Sequence, residues 1–275
     1  MHRTWRPEKV ADDLWVVQPR PGYRFSTDPF LLGGWVVEGG LPGRVLDVGT
    51  GSGVLGLMLA RMGAHVHGVD VQHEWAPHVQ KSTRLSGLLE RFTFEYADIR
   101  SWTGTAVDLV VSNPPYFSLG TGHLPLDPLR AAARHALQGD LVELLPAMAQ
   151  WAPRVAVVLP ISREAEARTL LREAGKPVVR SLRLLPRLVL LEGQRGGGDE
   201  VAECAPLRDG DAPSCRVAEL YARVRVPLAG IQTGASARNA IHHPERNSRL
   251  EDVRESMEVA RAKEHAKSRA APHER

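Results

Sequence analysis

Cysteine is scarce in this 275-residue chain: Cys204 and Cys215 are the only two. Two thiols build neither a disulfide framework nor a four-thiolate zinc site, which predicts a protein of a reducing compartment, the cytoplasm, and no metal centre. No apolar run approaches the ~18 residues of a spanning helix. The opening residues, Met1-His-Arg-Thr-Trp-Arg-Pro7, lack the apolar block of a secretory signal. Neither a membrane partner nor secretion by that route is expected. Nor is charge of one sign in excess: 35 Lys+Arg stand against 32 Asp+Glu, a formal +3. That mild basic balance permits an anionic partner without requiring one. What is present is 43% hydrophobic residues, enough in a chain of this length for a real core.

From residue 44 onward short apolar runs alternate with helical-period segments. The runs 44–48, 65–70, 92–96 and 107–112 read as strands; 54–62 reads as a helix, with a polar stretch after 70. The rhythm continues with a helix at 141–150, a strand at 155–159, a helix at 163–174, and strands at 178–185 and 188–192. Such alternation predicts an α/β, doubly wound, mostly parallel sheet covered on both faces. The chain divides on this reading into an N-terminal segment (1–43) over the ligand site, a core domain (44–230), and a charged extension (231–275). Gly196-Gly-Gly198 breaks the pattern, and the extension lacks the hydrophobicity for a core.

Chemistry can sit in three places. In Val45-Leu-Asp-Val-Gly-Thr-Gly-Ser-Gly-Val-Leu-Gly56 a buried strand enters a glycine-rich turn that opens a helix. Gly49, Gly51 and Gly53 admit conformations and close ligand approach that a Cβ would block. Asp70 ends the next strand about twenty residues on, where a carboxylate can accept both hydroxyls of a ribose. Gly51, Gly53 and Gly56 also read as a dinucleotide fingerprint. Asp47 shifts the balance: a carboxylate before the turn repels a pyrophosphate but suits the cationic amino acid end of S-adenosyl-L-methionine, unless it merely caps the helix. Asp98, after the third strand, is a candidate acceptor for the adenine amino group of that cofactor.

The second place is Asn113-Pro114-Pro115-Tyr116, at the carboxyl end of a buried strand. Two prolines stiffen the turn and leave the Pro114 carbonyl and the Asn113 side-chain oxygen as acceptors of fixed direction. Such a pair matches a planar NH₂ group, and Tyr116 can stack on it, with Phe117 beside it on the substrate side. The third place joins Phe25-Ser-Thr-Asp-Pro29, in which Thr27 or Asp28 can cap a helix with Pro29 first, to Arg130, Arg134 and His135. Thr27 and Asp28 are candidate cofactor contacts; Arg130 and Arg134 can fork onto phosphate. Lys176, Arg180, Arg183, Arg187 and Arg195, with Glu192 the lone acid, form either a phosphate track or a charged sheet edge.

The glycine turn together with Asn113 to Tyr116 resembles the class I S-adenosylmethionine-dependent methyltransferases that modify planar nitrogens. Phe25-Ser-Thr-Asp-Pro-Phe-Leu-Leu32, Arg130 to His135, and Asp209-Gly-Asp-Ala-Pro with Glu219-Leu-Tyr221 extend the resemblance to bacterial valine-tRNA adenine-N6 methyltransferases. Ser26 stands where that family shows glycine, and Pro29 where it shows a small residue. The resemblance implies a seven-stranded sheet with the last strand antiparallel, the cofactor on the glycine loop, and Asn113 to Tyr116 around a flipped adenine of tRNA. Asn113 then faces both cofactor and acceptor. A monomer is favoured. The rival readings are a release-factor-type protein-glutamine N5-methyltransferase, a guanine-N2 rRNA methyltransferase, an NAD-binding dehydrogenase and an inactive RNA-binding module.

Overall fold

The structure, a computed structural model, describes residues 4–20, 25–114 and 141–228. The chain forms two compact units, Met1–Thr233 and Gly234–Arg275, and every described residue belongs to the first. Two strands, β1 (Thr4–Ala11) and β2 (Leu14–Arg20), precede helix α1 (Asp28–Glu38). The core then alternates β3 (Arg44–Val48), α2 (Val54–Arg61), β4 (His65–Asp70), α3 (Ala76–Leu85), β5 (Phe92–Tyr96) and β6 (Leu109–Ser112). It continues with α4 (Leu141–Ala149), β7 (Arg154–Pro160), α5 (Glu164–Glu173), β8 (Val178–Leu185), β9 (Leu188–Gln194) and β10 (Val201–Pro206). A short ribbon, β11 (Arg208–Asp209) with β12 (Ala212–Pro213), leads into α6 (Cys215–Arg223). No helix among the described residues is long and apolar enough to cross a membrane.

The main sheet runs β10-β8-β9-β7-β6-β3-β4-β5. Only β9 opposes its neighbours; β10 adds to β8 in parallel. The expected seventh, antiparallel strand is β9, and the sheet gains an eighth. Alternate side chains feed opposite faces, as strand geometry requires. Val45, Leu109, Val111, Ala156 and Val158 join one buried cluster with α1, α2 and α6. Leu46, Val110, Val155 and Val157 join the other with α4 and α5.

Several elements escape the sequence reading, the β1–β2 hairpin, β10 and α6 among them. The β1–β2 hairpin has an exposed, charged outer strand, so its apolar signal sits in β2 alone. It is held on α3 by side-chain acceptors: Ser82 Oγ accepts from the Val17 N–H (2.8 Å) and Ser86 Oγ from the Trp15 N–H (2.9 Å). Strand β10, almost wholly exposed, follows the triple glycine that reads as a break. Its pairing makes β8 an interior strand, which corrects the reading of the basic run as a protected edge. Most of that run is neutralised within the fold. Arg180 bonds Glu192 and covers the Trp35 ring at 4.3 Å. Arg183 forks onto Glu164. Lys176 is buried and donates to the Ala149 carbonyl at the end of α4, where a cation suits the helix dipole.

Helix α1 is buried nearly all round and touches α6 through a glycine. A Cβ at Gly34 would lie 2.1 Å from the Leu220 carbonyl oxygen, whereas one at Gly33 would meet chiefly the flexible tip of Met58. Backbone cannot yield as a methionine end can. Gly34→Ala is therefore expected to destabilise by about 1–3 kcal/mol, and Gly33→Ala by less. Equal urea midpoints for the two variants would remove the close-approach argument.

Candidate active site

The glycine turn is shaped by two strands at once. After β3, the N–H groups of Gly49 and Thr50 both donate to the Val69 carbonyl of β4, at 2.9 and 3.1 Å. Gly49, Gly51 and Gly53 have φ of 68°, 52° and 79°, the left-handed region that side chains disfavour. At Gly56 the demand is for space: a Cβ there would sit 2.4 Å from the Phe92 ring. Asp47, 1% exposed, uses Oδ2 to accept from Thr50 Oγ1 (2.6 Å) and from the Gly56 N–H in the first turn of α2 (2.9 Å). The geometry thus displays the capping alternative, with Oδ2 of Asp47 tying the turn to the start of α2. Burial pushes the Asp47 carboxyl up to about 7 against these donors.

Asp70 ends β4 and closes the loop from the other side. Its Oδ2 accepts from the Gly51 N–H (2.8 Å) and Oδ1 from the Gln72 N–H (2.9 Å). It faces an open cleft with Gly49, Asp98 and Arg100 among its polar walls and Val71, Ala97, Ile99 and Leu144 among its apolar ones. Burial lifts Asp70 to about 6. Asp98 is already engaged: Arg100 Nε lies 3.0 Å from both its oxygens and Nη2 2.6 Å from Oδ2. The Arg100 guanidinium holds Asp98 below the usual carboxylate range and reaches Glu143 of α4 at 2.7 Å. Asp98, the expected adenine acceptor, is therefore paired with an arginine that the sequence reading missed. Its signal was local, an Asp-x-Arg turn in which the Arg100 N–H returns to Asp98 Oδ1 (2.9 Å).

Strand β6 brings the second motif to the first. The β3–β6 register pairs Val48 with Ser112, and Ser112 Oγ donates to the Val48 carbonyl (2.8 Å). Asn113 and buried Pro114 follow at once, beside Gly49 across the sheet. This is the point where strand order reverses, the place ligands occupy in doubly wound sheets. Pro115, Tyr116, Phe117, Arg130, Arg134 and His135 lie outside the described residues.

The third motif caps its helix as expected, at Thr27, though through backbone rather than the threonine side chain. Helix α1 begins at Asp28, so Pro29 is its second residue, and the Thr27 position caps through its carbonyl, which accepts from the Phe30 N–H (3.1 Å). Ser26 Oγ accepts from the Asp28 N–H (3.3 Å), which gives the departure from glycine at this position a task. Asp28 is buried, takes the Thr27 hydroxyl (3.2 Å) and lies 3.7 Å from Arg187. Burial raises its carboxyl. Among the described residues, the walls of the cleft include neither Thr27 nor Asp28; the contacts of Asp28 seen here are to Ser26, Thr27 and Arg187.

Asp70 titrates with a definite sign. A carboxyl lifted from about 4 to about 6 contributes stability that is complete below pH 4 and lost as pH rises through 6. Measured without added cofactor, the urea stability of the protein minus that of Asp70→Asn is expected to fall between pH 4 and 7. A difference constant over that window would show that burial does not govern this group.

Comparison with known proteins agrees with this geometry. A methyltransferase domain family matches residues 45–151. A tRNA1(Val) (adenine(37)-N6)-methyltransferase of Tolumonas auensis is 32% identical over 208 residues, 71% of this chain and 86% of that protein. Its counterpart in Edwardsiella ictaluri is 33% identical over 196 residues, 64% of this chain and 78% of that protein. A crystal structure described as a predicted O-methyltransferase from Agrobacterium tumefaciens shares the fold, with a TM-score of 0.52 at 15% identity over 72% of this chain and 97% of its own. The chain belongs to the tRNA1(Val) (adenine(37)-N6)-methyltransferase family, S-adenosyl-L-methionine-dependent enzymes of the Rossmann-like class I fold.

Proposed function

We propose that this chain methylates the exocyclic N6 amino group of an adenine in tRNA, at the position beside the anticodon of valine tRNA that its relatives' names give. One observation carries the reading: the Val48–Ser112 register sets Asn113 and Pro114 next to the glycine turn. The turn fits the cofactor. Nothing lies within 4 Å of a Cβ built at Gly49, and Gly49 lines the cleft, so the missing side chain leaves room for a ligand against the backbone. Asp70 would hold the ribose, and Ala97, Ile99 and Leu144 would offer the adenine an apolar wall. Bound S-adenosyl-L-methionine supplies an electrophilic methyl on a sulfonium.

The remaining work falls to the chain. The Asn113 side-chain oxygen and the Pro114 carbonyl accept the two N–H bonds of the acceptor amine, turning its lone pair toward the methyl carbon. Pro115, Tyr116, Phe117, Arg130 and Arg134, outside the described residues, would serve the substrate side, Tyr116 as the ring that stacks on the base. Rate then comes from alignment and fixed dipoles. No strong base is needed, since the amine becomes acidic only once methylated. We place this activity in the cytoplasm, with tRNA as the partner.

Asn113→Ala is expected to lower transfer by about 100-fold or more while calorimetric affinity for the cofactor stays within about threefold. Loss of cofactor binding in that variant would contradict the assignment. Labelled cofactor incubated with total tRNA, rRNA and release factor, followed by digestion and mass analysis, is expected to yield N6-methyladenine from tRNA. Methylglutamine or N2-methylguanine as the product would establish a rival instead.

A further inference from the structure

The carboxyl rim of the sheet is charged unevenly. On the β4–β5 side Asp70, Asp98 and Glu143 outnumber Arg100. On the opposite side three parallel strands stop at or beside a proline followed within three residues by an arginine: Pro160 and Arg163 after β7, Pro186 and Arg187 after β8, Pro206 and Arg208 after β10. The arginines on this side stand among acids of their own, Glu164, Glu166, Asp28, Asp209 and Asp211, so an anion can be met only by a member whose guanidinium stays exposed.

The arginines are not equivalent. Arg163 forks onto Glu166. Arg208 bonds the Asp211 carbonyl and has Asp209 and Asp211 as sequence neighbours. Arg187 has 61% of its side chain exposed, and the carboxylate facing it, Asp28, is buried and 3.7 Å away. The backbone under Arg187 is fixed on two sides. Its carbonyl accepts from the Ile161 N–H beyond β7 (3.0 Å), and its N–H donates to the Leu184 carbonyl of β8 (3.1 Å).

The register gives the distance to the chemistry. Ser112 pairs with Val157 on β7, and Pro160 pairs with Leu188 on β9. Arg187 therefore stands two strands from Asn113, about 10 Å across the sheet and about another 10 Å further along the strand direction, on the side away from Asp70. A base presented to Asn113 carries its flanking phosphates outward over this rim, because the cofactor cleft takes the other side. We propose that the strand-end rim beyond Asn113, centred on Arg187, docks the phosphate backbone of the RNA substrate. This rests on the RNA reading above. The same hairpin supplies its own control: Arg195, also exposed, follows β9 at the far end of the sheet.

The test uses the full chain saturated with S-adenosylhomocysteine and a fluorescent valine-tRNA transcript, read by anisotropy across a salt series. Arg187→Ala is expected to weaken binding about three- to tenfold and to flatten the salt slope by about 0.7–0.9, one phosphate contact. It should also raise KM for RNA without changing KM for cofactor. Arg187→Lys should recover most of the loss, and Arg195→Ala should behave as the parent. Parent-like binding by Arg187→Ala, equal losses in the two alanine variants, or weakened S-adenosylhomocysteine binding in Arg187→Ala would each overturn the docking rim while leaving the RNA reading intact. Failure of the parent protein to bind the transcript would remove the RNA reading itself, and the rim with it.

Discussion

A single buried carboxylate organises the site. Three glycines in the left-handed region would leave the turn after β3 loose, since glycine has the most freedom to lose on folding. Asp47 fixes it by taking Thr50 and Gly56 on one oxygen, joining the turn to the start of α2. Asp70 takes Gly51 from the neighbouring strand, and the Val69 carbonyl takes two more N–H groups. Each buried donor left without its acceptor costs about 1–3 kcal/mol. Exposed pairs such as Arg100 with Glu143 are worth about 0–1 kcal/mol, so they arrange the cleft rather than secure it.

The consequence is a division of the carboxyl rim. Strands β4 and β5 end in acids and small apolar residues, surroundings for a cationic nucleoside. Strand β6 ends in rigid acceptors. The strands beyond β7 end in prolines and arginines. Each group sits where its strand stops, because backbone there no longer needs ladder partners and side chains can turn outward. The ion pairs behind this rim have another function. Glu192, 2% exposed, is held by both Arg154 and Arg180, and truncating one member of such a set leaves a buried charge uncompensated. They fix the order of β7, β9 and β8 more than they add net stability.

Much of this was legible in the sequence where burial is two-sided. The runs 44–48, 65–70 and 92–96 coincide with β3, β4 and β5, because interior parallel strands are continuously apolar and end at turn residues. The glycine turn and Asn113-Pro114 were legible because their residue types have few other uses in that order. One-sided elements were not. The hairpin hides its apolar signal in β2, and β10 is ordered by pairing with β8 rather than by burial. Side-chain partners were harder still: that Arg100 occupies Asp98, that Ser26 rather than Thr27 supplies a side-chain cap, and that Asp47 turns into the loop all depend on distances no spacing rule contains.

The raised carboxyls of Asp47 and Asp70 connect stability to binding. Burial disfavours their ionised forms, yet the hydrogen bonds that shape the loop are strongest to those forms. The two demands conflict near neutral pH, where each group is close to half-ionised or beyond. A cofactor carrying a sulfonium and an ammonium adds opposite charge to the same region and favours the ionised state of nearby carboxyls, Asp70 above all. Binding and deprotonation are then linked, and a site arranged for a cation is less stable by itself than an apolar one would be. A pyrophosphate cofactor would meet the opposite sign, adding negative charge beside carboxyls that already resist ionisation. The electrostatics of the loop thus separate two ligand classes that its glycine spacing alone admits equally.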